Sequence, residues 1–359
     1  MAINFKSVED LINTQCSGLL GYGAQLYISR DGQYLFDKGF GFARPDVPML
    51  NSTMNLWMSS TKPVAAIAIA QLVERRGIQF TEPVVNFIPE FGQNGKSAIT
   101  IEHILTHTAG FRAPPKTQDV PWEDIIAEIC AARLETGWIP GQKAGYHPMS
   151  SWYILGEIVR RISGIPFGDY VRQNIFLPLG MRDSWIGMKE EKYEADENRI
   201  AVVYENTHQS AKAMDMKKVI TSCRPGSNGI GPIRDLAKVY EMLLNEGNRY
   251  RQQVLSPELV RTITARHRRG MMDVTFKTPI DWGYGFLLNG ESPSDDLPYG
   301  YCTAASPATF GHGGFQSSGA FCDPAKKLVV AYVFNAMPGE ENHQARRKAL
   351  IKAIYDAVG

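Results

Sequence analysis

The chain has 359 residues, of which 44% are hydrophobic and 10% aromatic, and its 38 Lys and Arg nearly balance 37 Asp and Glu. This is the composition of an ordinary globular protein with room for about two domains, and a formal net charge of +1 excludes strong attraction to nucleic acid or an anionic membrane. No run reaches the roughly 20 apolar residues of a membrane span, and five cysteines without a CxxC pair fit a reduced, cytoplasmic protein better than a disulfide framework or zinc ribbon.

The first fifteen residues carry acidic groups and no apolar h-region, unlike a secretory signal, and predict an amphipathic helix over about 5–15. The stretch AQLYISRDGQYLFDKGFGFA alternates apolar and polar residues on both sides of Arg30-Asp31-Gly32, which predicts a hairpin. VAAIAIAQLV is apolar almost all the way round a helix, the mark of a buried one. IEHILTHT, PWEDIIAEICAARL, SSWYILGEIVRRISG, FGDYVRQNIF and RDLAKVYEMLLNEG then space apolar residues three and four apart, with Gly164 and Gly247 as stops. GAFCDPAKKLVVAYVFN predicts a second hairpin turning at Asp323-Pro324, and RRKALIKAIYDAV a closing helix. Strands at both ends with helices between them predict one sheet built from both termini, with a helical lobe inserted. The corresponding boundaries are 1–85 plus 265–359 for the sheet domain and 86–264 for the mostly helical lobe.

WMSSTKP, directly before the buried helix, places Ser59 and Lys62 on one face of its first turn. Pro63 is tolerated there because first-turn N–H groups lack intrahelical partners. A serine hydroxyl needs a base, and a lysine desolvated by apolar walls can serve, since burial disfavours the ammonium. The same four residues also fit a serine-capped helix whose lysine reaches solvent. Two further stretches bear on the choice: GQKAGYHP, with Tyr146 and His147 before a helix, and FGHGGF, with His312, Gly313 and Gly314 before a strand.

In that order the three motifs resemble those of the serine β-lactamase and penicillin-binding protein superfamily. The likeness is to its class C β-lactamase-like branch, which includes carboxylesterases and D-amino-acid peptidases. SSTK looks like the SxxK element, Tyr146 like the tyrosine of YxN, and HGG like the KTG element in a histidine-led form. ITIEHILTHTAGF, NIFLPLGMRDSW and WGYGF resemble recurrent branch segments, so the likeness spans nearly the whole chain.

The resemblance implies an α/β sandwich with a helical lobe and a catalytic serine, Ser59, between them. Lys62 and Tyr146 would relay its proton, and the backbone N–H groups of Ser59 and Phe315 would form an oxyanion hole. His312, Gly313, Gly314 and His147 would meet the substrate. The implied activity is a serine hydrolase on small esters, with a D-amino-acid peptidase or amidase, an acyltransferase, a β-lactamase or a silent ligand-binding relative as alternatives. The partner is a small-molecule ester or amide; no cofactor, metal, nucleic acid or membrane is called for.

One position departs from the pattern. Pro148 stands where the branch carries a polar residue, and its side chain can neither hold a substrate amide nor orient the lysine. His103 and His107 are four apart, but HILTH lacks the glutamate of HExxH and no third ligand is evident. The glycines of GSNGIG miss the GxGxxG spacing and read as a tight turn lining the cleft, and no GxSxG elbow is present. Substrate choice is expected to rest on the loops TAGFRAPPKTQDVPWED and NGESPSDDLPYG.

Overall fold

A computed structural model describes residues 3–17, 22–206, 211–295 and 299–359, with the side chains of 206 and 211 outside that description. The first helix, α1 (Lys6–Cys16), leads into the predicted hairpin of β1 (Gly23–Arg30) and β2 (Gln33–Arg44). Asp31 (φ 52°) and Gly32 (φ 75°) turn it. Two left-handed residues in succession suit the right-handed twist of the flanking strands.

The edge strand β3 (Val47–Pro48) follows, and five more strands come from the C-terminal part: β4 (Asp281–Trp282), β5 (Leu287–Leu288), β6 (Phe310–Gly313), β7 (Ser318–Asp323) and β8 (Leu328–Phe334). They form one antiparallel eight-stranded sheet in the order β4-β5-β6-β7-β8-β1-β2-β3. The two chain ends meet where Ala24 pairs with Phe334 and Arg30 with Leu328. The second hairpin does not turn tightly at Asp323-Pro324. A short 3-10 turn, Pro324–Lys326, intervenes, and the Asp323 side chain accepts from Lys326 N–H.

Every residue of β8 is buried, and the two-residue period divides them between two cores. Leu328, Val330, Tyr332 and Phe334 face Val8 and Ile12 of α1 and Leu350, Ile351 and Ile354 of the closing helix (Glu340–Val358). Val329, Ala331 and Val333 face the opposite core, which contains the helix Lys62–Arg76, called α2. From Lys62 to Leu72 every residue of α2 is buried. Its packing accounts for this: one side meets the sheet and the other the helix Ser150–Ser163 (α3), against which Trp122–Ala131 also packs. Each fully buried Val or Ile there contributes about 1.5–3 kcal/mol.

One assignment is corrected. Helix Ile233–Leu244 falls within the predicted lobe yet packs on β1, β7 and β8, because Leu236, Ala237, Val239 and Tyr240 form an apolar stripe that the sheet face covers. Among the described residues no helix is long and apolar enough to cross a membrane.

Candidate active site

Ser59 lies in a single 3-10 turn, Met58–Thr61, that feeds directly into α2. The residue before it, Met58, has φ 50°. That conformation costs a non-glycine residue on the order of 1–3 kcal/mol and persists only where the surroundings impose it. Here they do: Trp57 N–H donates to Gly229 O (2.8 Å), Thr61 Oγ1 to Met58 O (2.7 Å) and Ser318 Oγ to Trp57 O (2.5 Å). Ser60 points inward, bonded to His312 O (3.1 Å) and Ser318 Oγ (2.9 Å), while Ser59 faces the cleft.

Lys62 is fully buried. Its Nζ lies 3.0 Å from Ser59 Oγ and 2.9 Å from each of two backbone carbonyls, those of Pro148 and Gly226. Burial lowers its pKa well below that of an ordinary lysine, and among the described residues no carboxylate pairs with it to oppose this. The Tyr146 and Trp152 rings lie 5.2 and 5.3 Å away, a weaker contribution that favours the cation. A neutral amine has two N–H donors and one lone pair. Carbonyls can only accept, so with both N–H groups donated to Pro148 and Gly226 the lone pair is directed at the Ser59 hydroxyl.

Tyr146 completes the group. It lines the same cleft as Ser59, and burial raises the pKa of its phenol, so the phenol remains a proton donor at neutral pH. Pro148 does take part in orienting the lysine, contrary to the expectation from its side chain, because its carbonyl supplies the acceptor.

His147 corrects a second expectation. It is fully buried outside the cleft, with Nε2 accepting from Gly110 N–H at 3.0 Å. The Gly110 and Phe111 N–H groups hold the ring there, so while Tyr146 lines the cleft its neighbour turns into the lobe.

The cleft's other wall is β6. His312 lines it with Nδ1 2.6 Å from Gly313 O. A carbonyl can only accept, so Nδ1 carries the proton and the buried, unpartnered Nε2 is an acceptor. Burial brings the His312 pKa down to about 3, helped by Lys62, and the ring stays neutral above that.

The two glycines differ. A Cβ on Gly314 would lie 2.5 Å from Trp57 O and 2.9 Å from Met58 Cβ, whereas one on Gly313 would meet nothing closer than 3.9 Å. Gly314→Ala is therefore expected to displace the nucleophile turn and lower kcat by about 100-fold. Gly313→Ala should keep most of kcat and change mainly KM, and steady-state kinetics on one ester checks both. No hydrogen bond among the described residues uses the Ser59 or Phe315 N–H, which leaves both free for a substrate oxygen.

The cleft holds about 280 Å³ and its lining is largely apolar, with the rings of Phe276, Trp282, Tyr299, Tyr301 and Phe315 among its walls and Glu340 and Arg347 also reaching it. Of the two loops expected to choose substrate, NGESPSDDLPYG contributes Tyr299, while its residues 296–298 lie outside the described residues; TAGFRAPPKTQDVPWED contributes nothing to the lining. His103 and His107 use Nδ1 to accept from Thr100 and His147 N–H. GSNGIG backs the nucleophile turn, with Gly226 O on Lys62 and Gly229 N–H on Thr61 Oγ1. The Gly226 and Pro148 carbonyls had no signal in the sequence, since every residue carries one.

Residues 18–354 match the sequence model of the Beta-lactamase family. The esterase/β-lactamase LipL of Mycobacterium tuberculosis is 22% identical over 88% of this chain and 77% of its own length. A putative D-alanyl-D-alanine carboxypeptidase of Escherichia coli is 24% identical over 88% and 79% respectively. The crystal structure of a family VIII carboxylesterase superposes with a TM-score of 0.81 at 26% identity, covering 98% of this chain and 97% of the other. With a family match over most of its length and the same fold, the chain belongs to the β-lactamase family of serine hydrolases.

Proposed function

We propose that the chain is a carboxylesterase acting on small esters through an acyl-enzyme at Ser59. The observation that carries this reading is the 3.0 Å contact between a fully buried lysine amine and a serine hydroxyl facing an apolar cleft. Neutral Lys62 takes the Ser59 proton as Oγ bonds to the ester carbon. The carbonyl oxygen gains charge facing the Ser59 and Phe315 N–H groups. The Tyr146 phenol then protonates the departing alcohol and recovers its proton through Lys62. Water enters by the same relay and releases the acid. The five free thiols support a reducing, cytoplasmic setting.

Three things favour esters. The aromatic cleft suits an apolar arm, Pro148 offers a substrate amide no side-chain partner, and LipL and the superposed carboxylesterase carry esterase names. The carboxypeptidase relative supports a D-amino-acid peptidase or amidase as the second reading. An ester has no N–H to satisfy and a better leaving group, so it suffers least from the missing polar side chain. Short-chain p-nitrophenyl esters are expected to turn over at least about tenfold faster in kcat/KM than D-amino-acid anilides or a chromogenic cephalosporin. A cephalosporin faster than the best ester would move the assignment to β-lactamase.

A further inference from the structure

Tyr146 belongs to neither a helix nor a strand, yet its phenol must be held facing Ser59 across the shared cleft for the proposed relay, on which this inference rests. We infer that His107 and Asp273, with Arg268 behind them, are positioning residues that hold Tyr146 by capturing the backbone on both sides of it.

Each N–H of the segment is taken in turn. Gly145 N–H donates to His107 O (3.0 Å), Tyr146 N–H to Asp273 Oδ1 (3.1 Å) and His147 N–H to His107 Nδ1 (3.0 Å). His107 offers two acceptors, its carbonyl and its Nδ1, to N–H groups two residues apart, and does so from a left-handed conformation, φ 60°, which is strained for a residue with a side chain. Its ring lies 4.6 Å from that of Tyr146, centroid to centroid.

Asp273 and Arg268 are both almost fully buried and pair at 3.0 Å. Arg268 also donates to Ile280 O and to Thr106 O, beside His107, which closes a circuit between the two clamps. A buried ion pair gains little stability over apolar packing of the same volume. What this pair does supply is a fixed, charged acceptor: Asp273 Oδ1 also takes the N–H groups of Thr275 and Phe276.

The test is a double-mutant cycle with Tyr146→Phe, measuring kcat and KM on p-nitrophenyl butyrate and confirming folding by circular dichroism. Asp273→Ala is expected to lower kcat about 100-fold with KM within about threefold. It strands Arg268 and can prevent folding, so Asp273→Asn, which keeps shape and one acceptor, is measured alongside and should lose about tenfold in kcat. His107→Asn, which tolerates the left-handed backbone, covers the other clamp with a similar loss. In the Tyr146→Phe background each loss should shrink to about threefold or less, because the cradle acts through the phenol. Equal losses in both backgrounds, or a change confined to KM, would overturn the inference. A fully active Tyr146→Phe enzyme would instead sink the relay reading, a result distinguishable from the first.

Discussion

Replacing Ser59 with alanine is expected to lower ester turnover by roughly 10⁴-fold or more and to abolish labelling by a fluorophosphonate, because a nucleophile and its base act as one unit. Mass mapping of the label on the unaltered protein should find it on Ser59. Ser60 provides the control. Its hydroxyl ties the turn to His312 O and Ser318, so Ser60→Ala should stay within about tenfold of normal activity and lose about 1 kcal/mol of stability, read by thermal melting. A dead Ser60→Ala and an active Ser59→Ala would place the nucleophile one residue later than the geometry does.

Lys62→Arg should be nearly as inactive as Ser59→Ala, although it preserves the positive charge. Guanidinium does not lose its proton near neutral pH, so it offers Ser59 no lone pair. The pH profile of the unaltered enzyme tests the same point. Only the neutral amine can act as base, so kcat/KM should fall about tenfold per unit as pH drops below the Lys62 pKa. Burial depresses that pKa, so the acidic limb should lie well below the roughly 10.4 of a solvated lysine. A limb near 10, or an active arginine variant, would remove Lys62 from the base role. Tyr146→Phe should also fall steeply, since it removes the proton donor to the leaving group.

What the sequence by itself determined is local pattern and motif order. The two-residue period and the Asp31-Gly32 turn made the first hairpin legible, and the all-round apolar helix announced that its N-terminus, with Lys62, is buried. Strands at both ends implied one sheet, and three motifs in order indicated the family. Each of these depends on neighbours in the chain or on residue identity.

Tertiary structure decided the rest, because it depended on which surfaces meet. The apolar stripe of Ile233–Leu244 looks the same whether it faces a lobe or a sheet, and only packing put it on β1, β7 and β8. Tyr146 and His147 are adjacent in sequence, and the fold assigned one to the cleft and the other to the interior. The lysine's orientation rests on the Pro148 and Gly226 carbonyls, 86 and 164 residues away. Backbone carbonyls carry no residue identity, so no sequence pattern marks which ones converge; only the folded chain brings them to the amine.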